Sequence, residues 1–293
     1  MIAILEATAA VLVWGASFIA TKIALRYVEP VTVVWLRFTM GVFILGIVVS
    51  IRRQFKLPRP NELGYFALLG FLGITFHQWL QSTGLLTAQA TTTAWIIATT
   101  PVFIAILGRL FLKEKMTWLR IGGIVLAAVG VLLVVTKGDL LSLASGHFGT
   151  FGDILILISA PNWAIFSVFS RYGLKTHPAA RMMFYVMFFG WLGATVMFIS
   201  GHGTMDIARL PMEGWLAVGF LGIFCSGLGY IFWYDALHAL PASQVGVFLY
   251  LEPLITVAVA AIILHEPLLI TSLVGGAIIL FGVWMVNRVN QNK

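Results

Sequence analysis

The stretch PVFIAILGRLFLKEK, residues 101–115, returns 152 residues later as PLITVAVAAIILHEP, residues 253–267, with its proline, its apolar run and its glutamate in register. Working outward, Gly70 pairs with Gly222, Gly123 with Gly275 and Gly130 with Gly282 at that same offset. Nearer the N-terminus the offset is 149, with Trp14 matching Trp163, Lys22 matching Arg171 and Gly41 matching Gly190. Small loop deletions account for the difference. The chain thus reads as two copies of one unit, and whatever elements the first copy contains the second must contain as well.

Of the 293 residues 60% are hydrophobic and only 10% charged, and the mean hydropathy is +0.99, so water cannot be the main solvent. Apolar runs bounded by charge, Pro and Gly cover residues 4–22, 31–51, 63–83, 90–112, 117–136, 151–171, 181–200, 213–235, 242–264 and 268–287. That is five per copy. The third and fourth runs are divided only by Gly84 and a polar stretch, yet residues 63–112 would make a helix about 75 Å long against a hydrocarbon core of about 30 Å, which demands two crossings. The first run opens at Ile2 without a basic leader and is expected to be a retained helix rather than a signal segment.

Charge gives the orientation. With the N-terminus inside, 13 of the 18 Lys and Arg residues fall on the inner side, and only Lys22, Arg26, Arg37, Lys137 and Arg209 fall outside. Both termini are expected in the cytoplasm. The net charge of +7 therefore belongs to topology, and no nucleic-acid partner is implied. Five is odd, so the second copy enters the bilayer upside down. Basic residues follow suit, because Arg109, Lys113, Lys115 and Arg120 of the first copy become Ala261, His265, Pro267 and Ser272 in the second. The expected division is 1–137 for the first five-helix repeat, 138–149 for an extracytoplasmic link and 150–293 for the inverted repeat. Cys225, the one cysteine, lies in an apolar run and reads as a buried thiol.

Trp14-Gly-Ala-Ser-Phe18, Leu36-Arg37-Phe38, Pro101-Val-Phe103 and Lys113-Glu114-Lys115 before a Gly-Gly helix resemble the ten-helix EamA-type branch of the drug/metabolite transporter (DMT) superfamily. Leu251-Glu252-Pro253, His265-Glu266-Pro267 and Gly275-Gly276 repeat the pattern in the second copy. The likeness runs over essentially the whole chain, and within the branch the chain is similar to YddG-type exporters of aromatic amino acids. The resemblance implies a basket of ten helices around a central cavity lined by the first, third, fourth, sixth, eighth and ninth.

Polar side chains at membrane depth are costly unless they meet a cavity or a partner, which makes them the candidate site. Trp14 and Ser17 share a face of the first helix with Thr21, and Trp163 heads a similar stripe in the sixth. His77, Gln78 and Gln81 do so in the third, with cavity lining and an interhelical hydrogen-bond network as the two readings. Trp95 follows a threonine run in the fourth helix, while Tyr230 and Tyr234 sit at i, i+4 in the eighth. Gln244, Phe248 and Glu252 are spaced for one face of a continuous ninth helix. Glu252 would then lie near mid-membrane, as a substrate-amine or proton-coupling site or as a structural hydrogen bond. Pro101 and Pro253 each remove a backbone donor inside a span and are candidate hinges. Arg37 reads as structural, snorkelling outward or pairing with Glu29.

The expectation is an all-α polytopic membrane protein of the bacterial inner membrane, a secondary transporter exporting small amphipathic metabolites, foremost aromatic or other neutral amino acids. A broader drug or metabolite carrier is the alternative; an enzyme acting on lipid-linked substrates lacks the clustered carboxylates or histidines such chemistry needs. No cofactor or metal is expected. The partners are a small-molecule substrate and the lipid bilayer, with the chain acting as a monomer.

Overall fold

The structure, a computed structural model, describes residues 1–112, 116–139, 141, 148–201, 203–240, 245–246 and 248–288. Every regular element among them is a helix. The first copy comprises α1 (Ile2–Ala24), α2 (Pro30–Ile51), α3 (Pro60–Gly84), α4 (Ala90–Phe111) and α5 (Trp118–Val135). The second comprises α6 (Phe151–Leu174), α7 (Ala179–Ser200), α8 (Met212–Ala236), α9 (Leu251–Ile263) and α10 (Ile270–Arg288). A short helix, Gly203–Arg209, lies between α7 and α8.

Local sequence explains the starts. Pro30 and Pro60 open α2 and α3, where a missing N–H costs no helical bond. Thr150 and Asp153 form a reciprocal capping box at the head of α6. Among the described residues nine helices are long and apolar enough to cross a bilayer, and α9 is a shorter apolar helix. Large apolar side chains such as Phe43, Val196, Ile199 and Ile262 stand exposed on the outside of the bundle, as a lipid solvent requires. A hollow of about 470 Å³ on the flank of α2, lined by Val42, Phe43, Gly46 and Ile47 among others, belongs to that outer surface. The protein is an all-α polytopic membrane protein.

Packing repeats between the copies. A Cβ on Gly123 would lie 2.5 Å from the carbonyl oxygen of Gly282, and one on Gly130 would lie 2.6 Å from that of Gly275. Gly123 is the repeat equivalent of Gly275 and Gly130 of Gly282, so the second contact is the first with the copies exchanged. Bare backbones let α5 and α10 approach at both points, the use membrane helices make of small residues.

Departures from regular helix also come in pairs. One π-helical segment spans Phe71–Phe76 in α3 and another spans Phe220–Leu228 in α8, the region 152 residues on. Backbone carbonyls there accept side-chain donors from the opposite copy: Asn162 Nδ2 donates to Leu72 O at 2.7 Å and Trp14 Nε1 to Cys225 O at 3.0 Å. α4 breaks at residues 98–99, directly before Pro101, whose missing N–H would have bonded Ile97 O. The Thr100 hydroxyl donates to that carbonyl instead, at 2.7 Å.

The ninth segment departs from its expected form. A continuous helix over 242–264 is interrupted by a turn at residues 249–250, and α9 begins only at Leu251. The Glu252 N–H reaches back three residues, to Leu249 O at 3.2 Å, rather than four. The helical face expected to carry Phe248 and Glu252 is thus interrupted between them, and Glu252 falls in the first turn after the break. Pro101 and Pro253 likewise lie in the first turn after a break, where proline is tolerated.

Candidate functional site

Trp14 and Trp163, equivalent in the repeat, each anchor an aromatic group where the copies meet. On one side Trp14 packs edge-on to Tyr230, with centroids 5.6 Å apart, and against Trp233 at 5.3 Å. Tyr234 continues this group at 6.5 Å from Tyr230. On the other, Trp163 lies 4.7 Å from the His77 ring and 4.8 Å from Phe166. The π-helical segments position both groups, since they fix where His77 and Tyr230 leave their helices. His77 is buried and hydrogen-bonded to the backbone of Ser159, while its Nδ1 has no partner among the described residues.

Arg37 stands between the two groups. Its Nε donates to Ser226 Oγ on α8 and its Nη1 to Gln78 Oε1 on α3, both at 3.0 Å. The side chain is buried and lies over the Phe38 ring, so it neither snorkels nor pairs with Glu29 as expected. Two neutral acceptors close by are shorter reaches than the headgroup region, which is why the arginine turns inward. Ser226 was not singled out from sequence; nothing marks one serine in an apolar run as the partner of a charge 189 residues away.

The remaining candidates divide. Ser17 and Gln81 are half-buried, and neither side chain makes a hydrogen bond among the described residues. Glu252 is half-buried beside α1, where its carbonyl oxygen would lie 3.0 Å from a Cβ on Gly15, and its carboxylate has no described ion pair or hydrogen bond. Thr256, one turn further, ties α9 to α1 by donating to Gly15 O at 2.7 Å. Phe248 packs with Ala7, Ala236 and Val245, adjoining Trp233. Trp95 is elsewhere: it is buried against Gly276 of α10, with its Nε1 unpaired among the described residues. Gln244 lies outside the described residues, as do Lys113, Glu114 and Lys115.

Each end of the bundle is laced across the copies. Glu266, between α9 and α10, accepts from Ala90 N at 2.8 Å, Thr91 N at 3.0 Å and Thr91 Oγ1 at 2.9 Å. Gln89, the residue preceding α4, supplies no side-chain cap of its own, so an acid from the other copy does that work. Lys22 Nζ lies 3.8 Å from the same carboxylate and donates to Ala88 O at 2.6 Å. Nearby, the Tyr27 hydroxyl donates to Glu213 at 2.6 Å, and that hydrogen bond pushes its phenol above the ordinary range. At the opposite end Arg52 forks onto both oxygens of Asp235, at 2.7 and 2.6 Å, which holds its guanidinium above its usual value.

Two aromatic groups with few charges offer the kind of chemistry that suits an apolar portion beside a polar head. The comparisons with known proteins agree in kind. The model described as the EamA-like transporter family matches residues 1–136 and again residues 150–288. The chain is 27% identical to the uncharacterized transporter YyaM of Bacillus subtilis over 92% of this chain and 88% of that protein. It is 28% identical to an uncharacterized transporter of Archaeoglobus fulgidus, over 94% and 93%. Identity to the probable terminal-alkyne amino-acid exporter of Streptantibioticus cattleyicolor is 27%, over 95% and 90%. One solved crystal structure, 20% identical, superposes with a TM-score of 0.65 over 98% of each chain, which shows a shared fold.

Proposed function

Because this chain belongs to the EamA-like transporter family, we propose that it is a secondary carrier exporting small amphipathic metabolites, aromatic or other neutral amino acids foremost, across the bacterial inner membrane. The observation that carries the reading is the pair of aromatic groups around Trp14 and Trp163, set at equivalent places in the two copies. Flat apolar faces beside hydrogen-bonding groups suit a solute with an apolar side chain and a polar backbone. The printed name of the Streptantibioticus relative, an amino-acid exporter, supports the same class.

Transport proceeds by rocking of the copies, 1–137 and 150–293, about the central site, with 138–149 as their link. Both termini are cytoplasmic on the charge distribution of the connectors. The cap that Glu266 places on α4 then fastens the extracytoplasmic end, and its release opens that end. The turns before Pro101 and Pro253 act as the bending points, since a break already free of regular hydrogen bonds deforms at little cost. Glu252 serves the ammonium group of the solute or a coupled proton.

Purified protein in liposomes, given labelled phenylalanine, tryptophan and leucine, tests this. Preloaded unlabelled amino acid should accelerate uptake of the labelled one, as a carrier requires and a channel does not. Failure of every amino acid while other metabolites exchange would sink the substrate assignment.

A further inference from the structure

Arg37 is only 6% exposed, and among the described residues no carboxylate lies within ion-pair distance of it. Arginine does not lose its proton, so the charge remains. A guanidinium carries five N–H donors, of which Nε is taken by Ser226 and one on Nη1 by Gln78. Among the described residues three donors remain without a partner, one on Nη1 and both on Nη2. These two nitrogens form the parallel fork that matches a carboxylate.

The two tethers come from α3 and α8, helices of opposite copies, so the fork is held in orientation from two sides. Among the described residues its surroundings are neutral: His77, Cys225 and Tyr230 are the titratable groups that lie within its electrostatic reach. Burying a cation among neutral groups is unfavourable unless an anion arrives to complete it. We propose that Arg37 anchors the carboxylate of the transported solute, so that the substrates are carboxylate-bearing and not merely aromatic.

The assignment rests on the amino-acid reading above and narrows it. Cys225 lies within electrostatic reach of both Arg37 and Glu252, and its carbonyl holds the Trp14 indole. A cation, an acid and a set of rings thus surround one short piece of α8. An α-amino acid presents the three complementary parts: carboxylate for Arg37, ammonium toward Glu252, apolar side chain for Trp14 and Tyr230.

The test compares L-phenylalanine with phenethylamine, which keeps the ring and amine and lacks the carboxylate, as competitors of counterflow and as thermal stabilisers of the full chain. Arg37→Gln should weaken phenylalanine on the order of a hundredfold, the scale of removing one partner of a buried charge pair, and leave phenethylamine unchanged. Arg37→Lys, which keeps the charge and loses the fork, should fall between. Equal weakening of both ligands, or of neither, overturns the proposal. Should Arg37→Gln fail to fold, Ser226→Ala removes one tether and keeps the charge; it should weaken phenylalanine selectively, and an equal effect on both ligands overturns the proposal. A wild-type chain that handles neither compound refutes the amino-acid reading and the anchor together, whereas failure of the anchor alone appears only in the variants.

Discussion

Glu266 caps a helix that begins 176 residues before it in the chain: its Oε1 accepts the Ala90 N–H at 2.8 Å, and Oε2 takes the next N–H and the Thr91 hydroxyl. A buried carboxylate at a helix N-terminus gains from the dipole and satisfies two orphan donors at once. In Glu266→Gln one acceptor becomes an NH2 donor facing either N–H groups or Lys22. The expected loss is about 1.5–3 kcal/mol, the worth of hydrogen bonds to a charged group, read as a lower melting temperature in detergent. A melting temperature equal to wild type would show the cap to be dispensable.

Gly282 and Gly130 are repeat equivalents, and each meets a glycine of the facing helix with its backbone. Gly282→Leu forces a side chain where a Cβ would already lie 2.6 Å from the Gly123 carbonyl oxygen. Overpacking of this kind costs about 1–3 kcal/mol. Gly64, around which a Cβ meets nothing within 4 Å, is the control: Gly64→Ala removes no contact and replaces a helical glycine, so it should hold or raise stability, by up to about 1 kcal/mol.

Tyr27 donates to Glu213, which holds its phenol above the ordinary range. A raised value in the folded state means that its contribution is fully present below the unfolded value of about 10 and is lost as pH rises through the folded one. The connector between α1 and α2 should therefore loosen only in strong alkali. Tyrosinate absorbance checks this: the phenolate signal removed by Tyr27→Phe should titrate later than that of free tyrosine, and earlier titration would refute the hydrogen bond.

Hydropathy made the spans legible because a bilayer imposes a length on every apolar run, and the repeat made the pairing of Gly123 with Gly275 legible because both copies meet the same constraint. Local hydrogen bonding stayed hidden. The π-helical segments at Phe71–Phe76 and Phe220–Leu228 leave no mark in hydropathy, whereas the turn before Leu251 is signalled by Pro253 but not by the apolar run around it. For the site, periodicity put Trp14 and Trp163 on polar stripes but could not say what faced them. Trp95 carried the same signal and packs instead on Gly276, since a stripe gives a direction and not a neighbour. Arg37 announced that it needed a partner; that the partners were Ser226 and Gln78 is a property of the tertiary fold.

The Glu252 side chain has no partner among the described residues, and it lies beside the Trp14 end of the site. Two roles assign it different chemistry. A proton-coupling acid must release its proton on one side and take one up on the other, so an imposed pH gradient should drive accumulation of substrate in wild-type liposomes. Glu252→Gln, which keeps the shape and cannot ionise, should then retain exchange of labelled for unlabelled amino acid and lose gradient-driven accumulation. An ammonium-binding acid predicts otherwise: the variant should weaken phenylalanine and phenethylamine together and spare 3-phenylpropionate, which has no amine. Gradient dependence that survives in Glu252→Gln, combined with unchanged affinity for both amines, would remove Glu252 from the transport cycle and leave it a residue of the α9 turn.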